Sequence, residues 1–403
     1  MSAPAAAEER TRLRILYVCH EPLPSPHTNT EQMVKTAAAL ARAGCVVDFS
    51  LPGRSGGARR EERLGEIAAF YGLAEREVPD RFRLVALPVP RAVLGNAVRP
   101  WHDMRAAMYA RGRGYDMLYT RDPFSLAAGL ALGARVAFET YRFDVNQRAA
   151  LAPWRRFCYR HTGLVGVVTH SEVARGSFVS TGLPADAVIV AHNGGGAESI
   201  RRLERDEARA ALRLPAVGPL VVYAGHVDPV KGLAALLRLA RDVAEATFLI
   251  VGHVPGTTAA ARLERDAAAS GAANVRMVPR VPPAEVARFL FAADVLVFPP
   301  TAAALRAGRT VLPMKTFQYL AAGRAILAPD LPDLREVLRH DANAVLVPPD
   351  VPGAAADALR GLLGDVPRRE RLAAAALADA ARYTWDARAA KIAAFLRGRL
   401  GLA

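Results

Sequence analysis

Residues 220–232 read LVVYAGHVDPVKG, and the rest of the chain is organised around what this stretch implies. Leu220–Ala224 is a short, wholly apolar run containing β-branched and aromatic residues, the pattern of a strand buried on both faces. Gly225 ends it, a polar loop follows through Lys231-Gly232, and an Ala- and Leu-rich helical pattern begins at once. Strand, glycine loop and helix in that order open a βα unit. Downstream the rhythm recurs, with strand-like runs at Thr247–Val251, Val275–Val278, Val295–Phe298, Ala325–Ala328 and Ala344–Val347. Upstream it appears at Leu13–Val18, Cys45–Leu51, Met117–Thr120, Val136–Glu139 and Leu164–Thr169. Helical patterns lie between most of these, including Glu31–Ala43, Pro123–Leu132 and Arg148–Thr162. Such alternation implies an α/β chain with parallel sheets covered on both faces.

At 403 residues the chain is too long for one ordinary core, and 52% apolar residues suffice for two. The run His192-Asn193-Gly194-Gly195-Gly196 continues neither sheet nor helix cheaply, because glycine loses the most backbone freedom on ordering. It reads as a hinge between two six-strand-sized halves, a loop within one domain being the alternative. The expected division is residues 1–197, residues 198–384 and a final helix over 385–403. Two doubly wound domains facing one another leave a cleft at the C-terminal ends of their strands, where such folds bind ligands.

Several classes of function are disfavoured. No stretch approaches the roughly 20 consecutive apolar residues of a membrane span, and the N-terminus MSAPAAAEERTRLR lacks the apolar region of a signal peptide. Cys19, Cys45 and Cys158 are odd in number and far apart, which fits a reducing compartment and offers no metal-ligand spacing. A cytoplasmic location is expected. The formal charge of +14 is spread evenly over both halves, without a basic tail or a basic-aromatic recognition module. It suits a solvated Arg-rich surface, phosphorylated ligands or an anionic membrane better than nucleic acid. Pro153–His161 (PWRRFCYRH) interleaves aromatic and basic residues, fitting an ordinary amphipathic helix or a peripheral contact with the inner face of the membrane.

Chemistry concentrates in the second half. Only Lys35, Lys231, Lys315 and Lys391 occur among 53 basic residues, and two of the four stand at helix starts beside the second sheet. Helix N-termini favour anions, and an ammonium group adds a mobile positive charge, so one diphosphate bridging Lys231 and Lys315 is an economical reading. Gly225 and Gly323 would allow close backbone approach. Taken singly, each lysine also fits a solvated surface charge. Neither segment is a Walker A loop, and the first strand leads into a Pro-rich loop with no G-x-G-x-x-G, against an NTP-driven motor and a dehydrogenase. The helix after that loop has a capping-box spacing at Thr28 and Glu31 and a stop at Gly44. His170 and Ser171 lack the elbow of a hydrolase and read as a strand end and a helix cap.

The ordered set VVYAGHVDPVKG, FLIVGHVPG, NVRMVPRVPPAEVARFLFAADVLVFPP, MKTFQYLAAGRAILAPDLPDLREVL and NAVLVPPD resembles the retaining GT-B enzymes of glycosyltransferase family 4. In the first half LRILYV, ALARAGCVVDF, FETYRFD, VGVVTHSEVAR and VIVAHNGG resemble it too, so the likeness runs from about Leu13 to Trp385.

The resemblance implies a GT-B architecture: an acceptor-side Rossmann-like domain, a nucleotide-sugar-binding one, and a last helix that packs back on the first. It also implies retaining transfer of a hexosyl group from a nucleotide-diphosphate sugar to a glycan, lipid-linked or small-molecule acceptor, with no cofactor and no metal. Lys231 and Lys315 would be the catalytic cations, neutralising charge on the departing nucleotide. Gly225, His226, Val281, Thr316, Phe317, Gln318 and Glu336 would join them around the donor, and Asn29, Glu139 and Tyr141 would lie on the acceptor side. Gln318 takes the place of the second of two family glutamates, and Thr310 the place of the first. His226 stands where arginine is common, a weaker cation that depends on pH. Tyr141 stands where many relatives have histidine, and Gly196 where aspartate is frequent. Because of these departures, a non-catalytic subunit of the same architecture is the leading alternative, and a sugar-nucleotide epimerase a lesser one.

Overall fold

The computed structural model describes residues 12–53, 60–73, 80–90, 92–93, 95–142, 152–195, 201–227, 231–307 and 312–402. Thr310 and Gly196 lie outside them. The chain forms two compact units, one of residues 1–193 with 385–403, the other of residues 194–384.

The first unit is built on a seven-stranded sheet: β1 (Arg14–Val18), β2 (Val46–Gly53), β3 (Phe82–Pro88), β4 (Met117–Thr120), β5 (Val136–Thr140), β6 (Leu164–Thr169) and β7 (Val188–Val190). Their order is β3-β2-β1-β4-β5-β6-β7, and every pairing is parallel. The half is therefore one strand larger than the six expected. The helix Thr28–Arg42 ends as anticipated: Gly44 takes φ +90°, and the Cys45 and Gly44 amides close back on Leu40 and Ala41. Its start differs. His27 is the cap and provides no side-chain bond, while Glu31 pairs with Lys35 at 2.9 Å instead of completing a box with Thr28. The last helix, Trp385–Leu400, belongs to this unit. Phe395 fills the space that the missing Cβ of Gly166 leaves on β6, and Arg399 donates to the Val165 carbonyl.

The second unit carries β8 (Leu220–Ala224), β9 (Thr247–His253), β10 (Val275–Pro279), β11 (Val295–Val297), β12 (Ala325–Pro329) and β13 (Val345–Val347), ordered β10-β9-β8-β11-β12-β13. Numbered from β8 this is the 3-2-1-4-5-6 order of the doubly wound fold. Strand side chains alternate between two apolar clusters. Val222, Leu249, Leu296 and Ile326 enter one, and Val221, Phe248, Val295 and Leu327 the other. Burial on both faces explains why these strands read as unbroken apolar runs. Each such side chain contributes roughly 1.5–3 kcal/mol.

Candidate functional site

A doubly wound sheet places its crevice where strand order reverses, at the C-terminal ends of the first and fourth strands. In the second unit those are β8 and β11, and the two lysines follow them. Lys231 lies in the connection from β8 to the helix Leu233–Asp242, whose cap Gly232 is left-handed at φ +75°. Lys315 opens the helix Lys315–Ala322 after β11.

Lys315 is partly buried, against the solvated surface charge that it fitted when taken singly. Its Nζ sits 3.7 Å from the ring centroid of Tyr223 and 6.0 Å from that of Phe298. Gly225 has φ +151°, and a Cβ there would collide with the Lys315 ammonium, so glycine is what admits the lysine. Burial, and secondarily the like charge of Lys231, push the Lys315 pKa well below the ordinary lysine value. Two cations drawn together, one of them desolvated, form a site that an anion relieves.

A further cation is present that the sequence reading missed. Arg280, just past β10, brings Nη2 to 2.9 Å from Nδ1 and 3.1 Å from Nε2 of His226. It donates its amide to the His253 carbonyl at the end of β9. A guanidinium from the loop after β10, two strands from β8 in the sheet, thus lies against the residue at position 226. Its only sequence signal was a basic residue directly after a strand.

Other expected donor residues are placed differently. Thr316 and Phe317 are buried with their side chains in the core, and their amides bond to the Pro313 and Met314 carbonyls. Gly323 is the left-handed C-cap of the same helix, so it ends the helix and does not open the crevice. Gln318 and Val281 are partly exposed, and Glu336 is partly buried as the C-cap of the helix Pro332–Arg335.

In the first unit Glu139 is fully buried at the end of β5. Its Oε1 accepts from Gln32 Nε2 (2.9 Å) and Arg388 Nη2 (2.9 Å) and lies 3.0 Å from His170 Nε2, while Oε2 accepts from the Tyr119 hydroxyl (2.6 Å). Gln32 also donates to Asn193. Burial alone would raise the Glu139 pKa, but Arg388 and Arg121 outweigh it and hold the carboxylate well below its usual range. Burial brings His170 down to about 4, against the pull of Glu139, so the ring is neutral near pH 7. Glu139 therefore organises the ends of β5, β6 and β7 from within and presents no surface to an acceptor. Tyr141, by contrast, is exposed, with the guanidinium carbons of Arg121 and Arg142 5.6 and 5.7 Å from its ring centroid. Asn29 is partly exposed and donates to Glu21. Ser171 caps the helix Glu172–Ser180 as read. Among the described residues no helix is long and apolar enough to cross a membrane.

Residues 218–365, about three quarters of the unit that holds the lysines, match the family described as Glycosyl transferases group 1. Over 337 residues the chain is 29% identical to phosphatidyl-myo-inositol mannosyltransferase of Mycobacterium tuberculosis, covering 78% of this chain and 83% of the relative. Among solved structures it is similar to sucrose-phosphate synthase from Thermosynechococcus elongatus, with TM-score 0.75, 18% identity and coverage of 97% and 100%. It is also similar to Anabaena HepE in complex with UDP and glucose, with TM-score 0.71, 16% identity and coverage of 95% and 98%.

Proposed function

We propose, on the premise that this chain is a GT-B glycosyltransferase of group 1, that it transfers a hexosyl group with retention from a nucleotide-diphosphate sugar held by the second unit. The observation that carries this reading is the set of cations at the switch point: Lys231, the partly buried Lys315, and Arg280 against His226. Departure of a nucleoside diphosphate leaves charge on phosphate oxygens, and fixed cations in a partly desolvated crevice stabilise it more than water does. Lys231 and Lys315 do this work directly, and Arg280 helps to hold the diphosphate. The lysines supply the compensation that a metal provides elsewhere, so transfer proceeds without one. Val281 and Gln318 are the residues we assign to the nucleoside, and Glu336 to the sugar.

The acceptor is addressed by the first unit, with Tyr141 and Asn29 as its accessible polar groups. The relative's name makes an inositol-containing acceptor, lipid-linked or free, the first to try, ahead of glycans. A peripheral contact with an anionic membrane is also proposed. Trp101, Met104 and Met108 are exposed at helical spacing on the helix Val98–Ala110, with exposed Arg105, Arg111 and Arg113 beside them.

The test is thermal stabilisation by UDP-, GDP-, ADP- and TDP-sugars of the wild type and of Lys231→Ala. A selective shift that the variant loses supports the diphosphate site and fixes the donor class. Folded wild type that responds to no donor rejects it in favour of a non-catalytic subunit.

A further inference from the structure

The first sheet has a switch point of its own, between β1 and β4, and it holds a cluster that the transfer chemistry does not use. His20 stands two residues beyond β1, Asp122 two beyond β4, and Asp103 comes from the helix Val98–Ala110. One candidate ligand atom from each lies within 4.8 Å of the others. His20 Nδ1 is 3.8 Å from Asp103 Oδ1, and His102 Nδ1 is 3.7 Å from the same oxygen. Asp103 and His102 are fully buried, yet among the described residues neither oxygen of the carboxylate and neither nitrogen of the ring has a hydrogen-bond partner. Asp122 divides its carboxylate. Oδ1 caps the next helix through the Phe124 and Ser125 amides, and Oδ2 meets the Arg99 guanidinium.

Buried polar atoms are normally satisfied, because a desolvated carboxylate with nothing to receive it is costly. Here that cost falls on Asp103, with two imidazoles beside it and a second carboxylate within reach. We propose that His20, Asp103 and Asp122 bind a divalent transition-metal ion. Imidazole with carboxylate suits zinc, whereas calcium and magnesium take oxygen ligands. Zinc bonds of roughly 2.0–2.1 Å imply tetrahedral edges of about 3.3 Å, so the 3.8 Å edge between His20 and Asp103 needs a small inward movement and Asp122, within 4.8 Å of both, a larger one. His20, whose side chain is 16% exposed, is the rim through which an ion would enter. The ion would tie the loop after β1, the end of β4 and the intervening helix together. It belongs to the first unit and its role is structural, so the site does not depend on the diphosphate chemistry of the second.

The experiment is equilibrium dialysis of metal-stripped full-length protein against micromolar zinc, with metal content and thermal melting measured on wild type, His20→Ala and Asp103→Asn. The wild type is expected to retain about one ion per chain and to melt higher with zinc, because a ligand that binds only the folded state stabilises it. Both variants should lose the ion and the shift. If Asp103→Asn does not fold, His20→Ala, altered at the rim, decides alone. Wild type that retains no zinc overturns the site and leaves histidine–aspartate ion pairing as the account of the cluster. Retention undiminished in His20→Ala overturns it as well. Donor-induced stabilisation through Lys231, measured on the same samples, reports separately on the second unit.

Discussion

Arg388 and Glu139 are 249 residues apart in sequence and joined by a 2.9 Å hydrogen bond, Nη2 of the arginine donating to Oε1 of the carboxylate, with both side chains closed to water. Through this bond the last helix becomes part of the first sheet's core. Arg388 also donates to the carbonyls of Ala191 and His192, so one guanidinium ties the chain's end to β5 and to the residues after β7. Removing one partner of a buried pair strands the other. Arg388→Met should therefore cost roughly 3–5 kcal/mol, seen as a lower urea midpoint with an unchanged slope. A loss within about 0.5 kcal/mol, the range of an ordinary surface substitution, would show that the pair does not hold the helix.

The same carboxylate sets a pH dependence. Burial would raise the Glu139 pKa, but Arg388 and Arg121 depress it below its unfolded value. A carboxylate of this kind contributes stability that is complete above the unfolded pKa of about 4.3 and drains as pH falls toward the folded one. Between pH 5 and pH 3 the unfolding free energy of the wild type should fall more steeply than that of Glu139→Gln. Parallel curves would assign acid lability to other groups.

The fold was legible because its strands are buried on both faces. The inner strands of the second sheet stood out as apolar runs, since Val221 and Val222 enter opposite clusters, whereas the edge strand β10 carries Arg276 and is only partly buried. β3 was missed for the complementary reason. It is an edge strand whose burial alternates through FRLVALP, with Arg83 turned to Asp48, so no continuous apolar run marks it. The lysines were legible from their scarcity and from the helix starts they occupy. Arg280, His102 and Asp103 were not, because their neighbours come from other strands and helices, and no spacing along the chain records that. Thr316 and Phe317 stand where expected, at the start of the helix that Lys315 opens, but that the helix buries both side chains was not legible from spacing alone.

Lys315 gives the proposed donor site a proton signature. Its pKa is lowered by burial and by Lys231, and an arriving diphosphate favours the charged form and raises it. Binding should thus take up protons in the window below the ordinary lysine value of about 10.4, and donor affinity should fall as pH rises through it. Titration calorimetry in two buffers of different ionisation enthalpy reads the uptake. Lys315→Met should abolish it and weaken binding about tenfold or more, a change of at least about 1.4 kcal/mol. Lys231→Ala should lower turnover by about 10²–10³-fold, the range for losing one charge-stabilising group.

Arg280 tests whether a cation on β10 replaces the one missing after β8. Arg280→Ala should weaken donor binding about tenfold without lowering the melting temperature of the free protein, because its partner His226 is exposed. Adding His226→Arg to that variant should restore binding by returning a guanidinium to the same place. No loss in the single variant, or no recovery in the double, would mean that Arg280 merely stacks on the histidine.

The exposed face of the helix Val98–Ala110 carries the last prediction. Trp101, Met104 and Met108 are 42%, 37% and 44% exposed, while His102, Asp103, Ala106 and Ala107 on the opposite face are buried. The outward residues therefore do not serve the core. A tryptophan among methionines, with Arg105, Arg111 and Arg113 nearby, combines apolar insertion with attraction to anionic headgroups. Sedimentation with vesicles containing anionic lipid should retain the wild type at low salt, release it as salt screens the arginines, and retain Trp101→Ala several-fold less. Equal binding to neutral and anionic vesicles would remove the electrostatic half of the argument, and equal binding by Trp101→Ala the apolar half. Activity toward a lipid-linked acceptor should follow vesicle binding across this series, whereas activity toward a soluble acceptor should not, because only the first reaction needs the enzyme at the membrane surface.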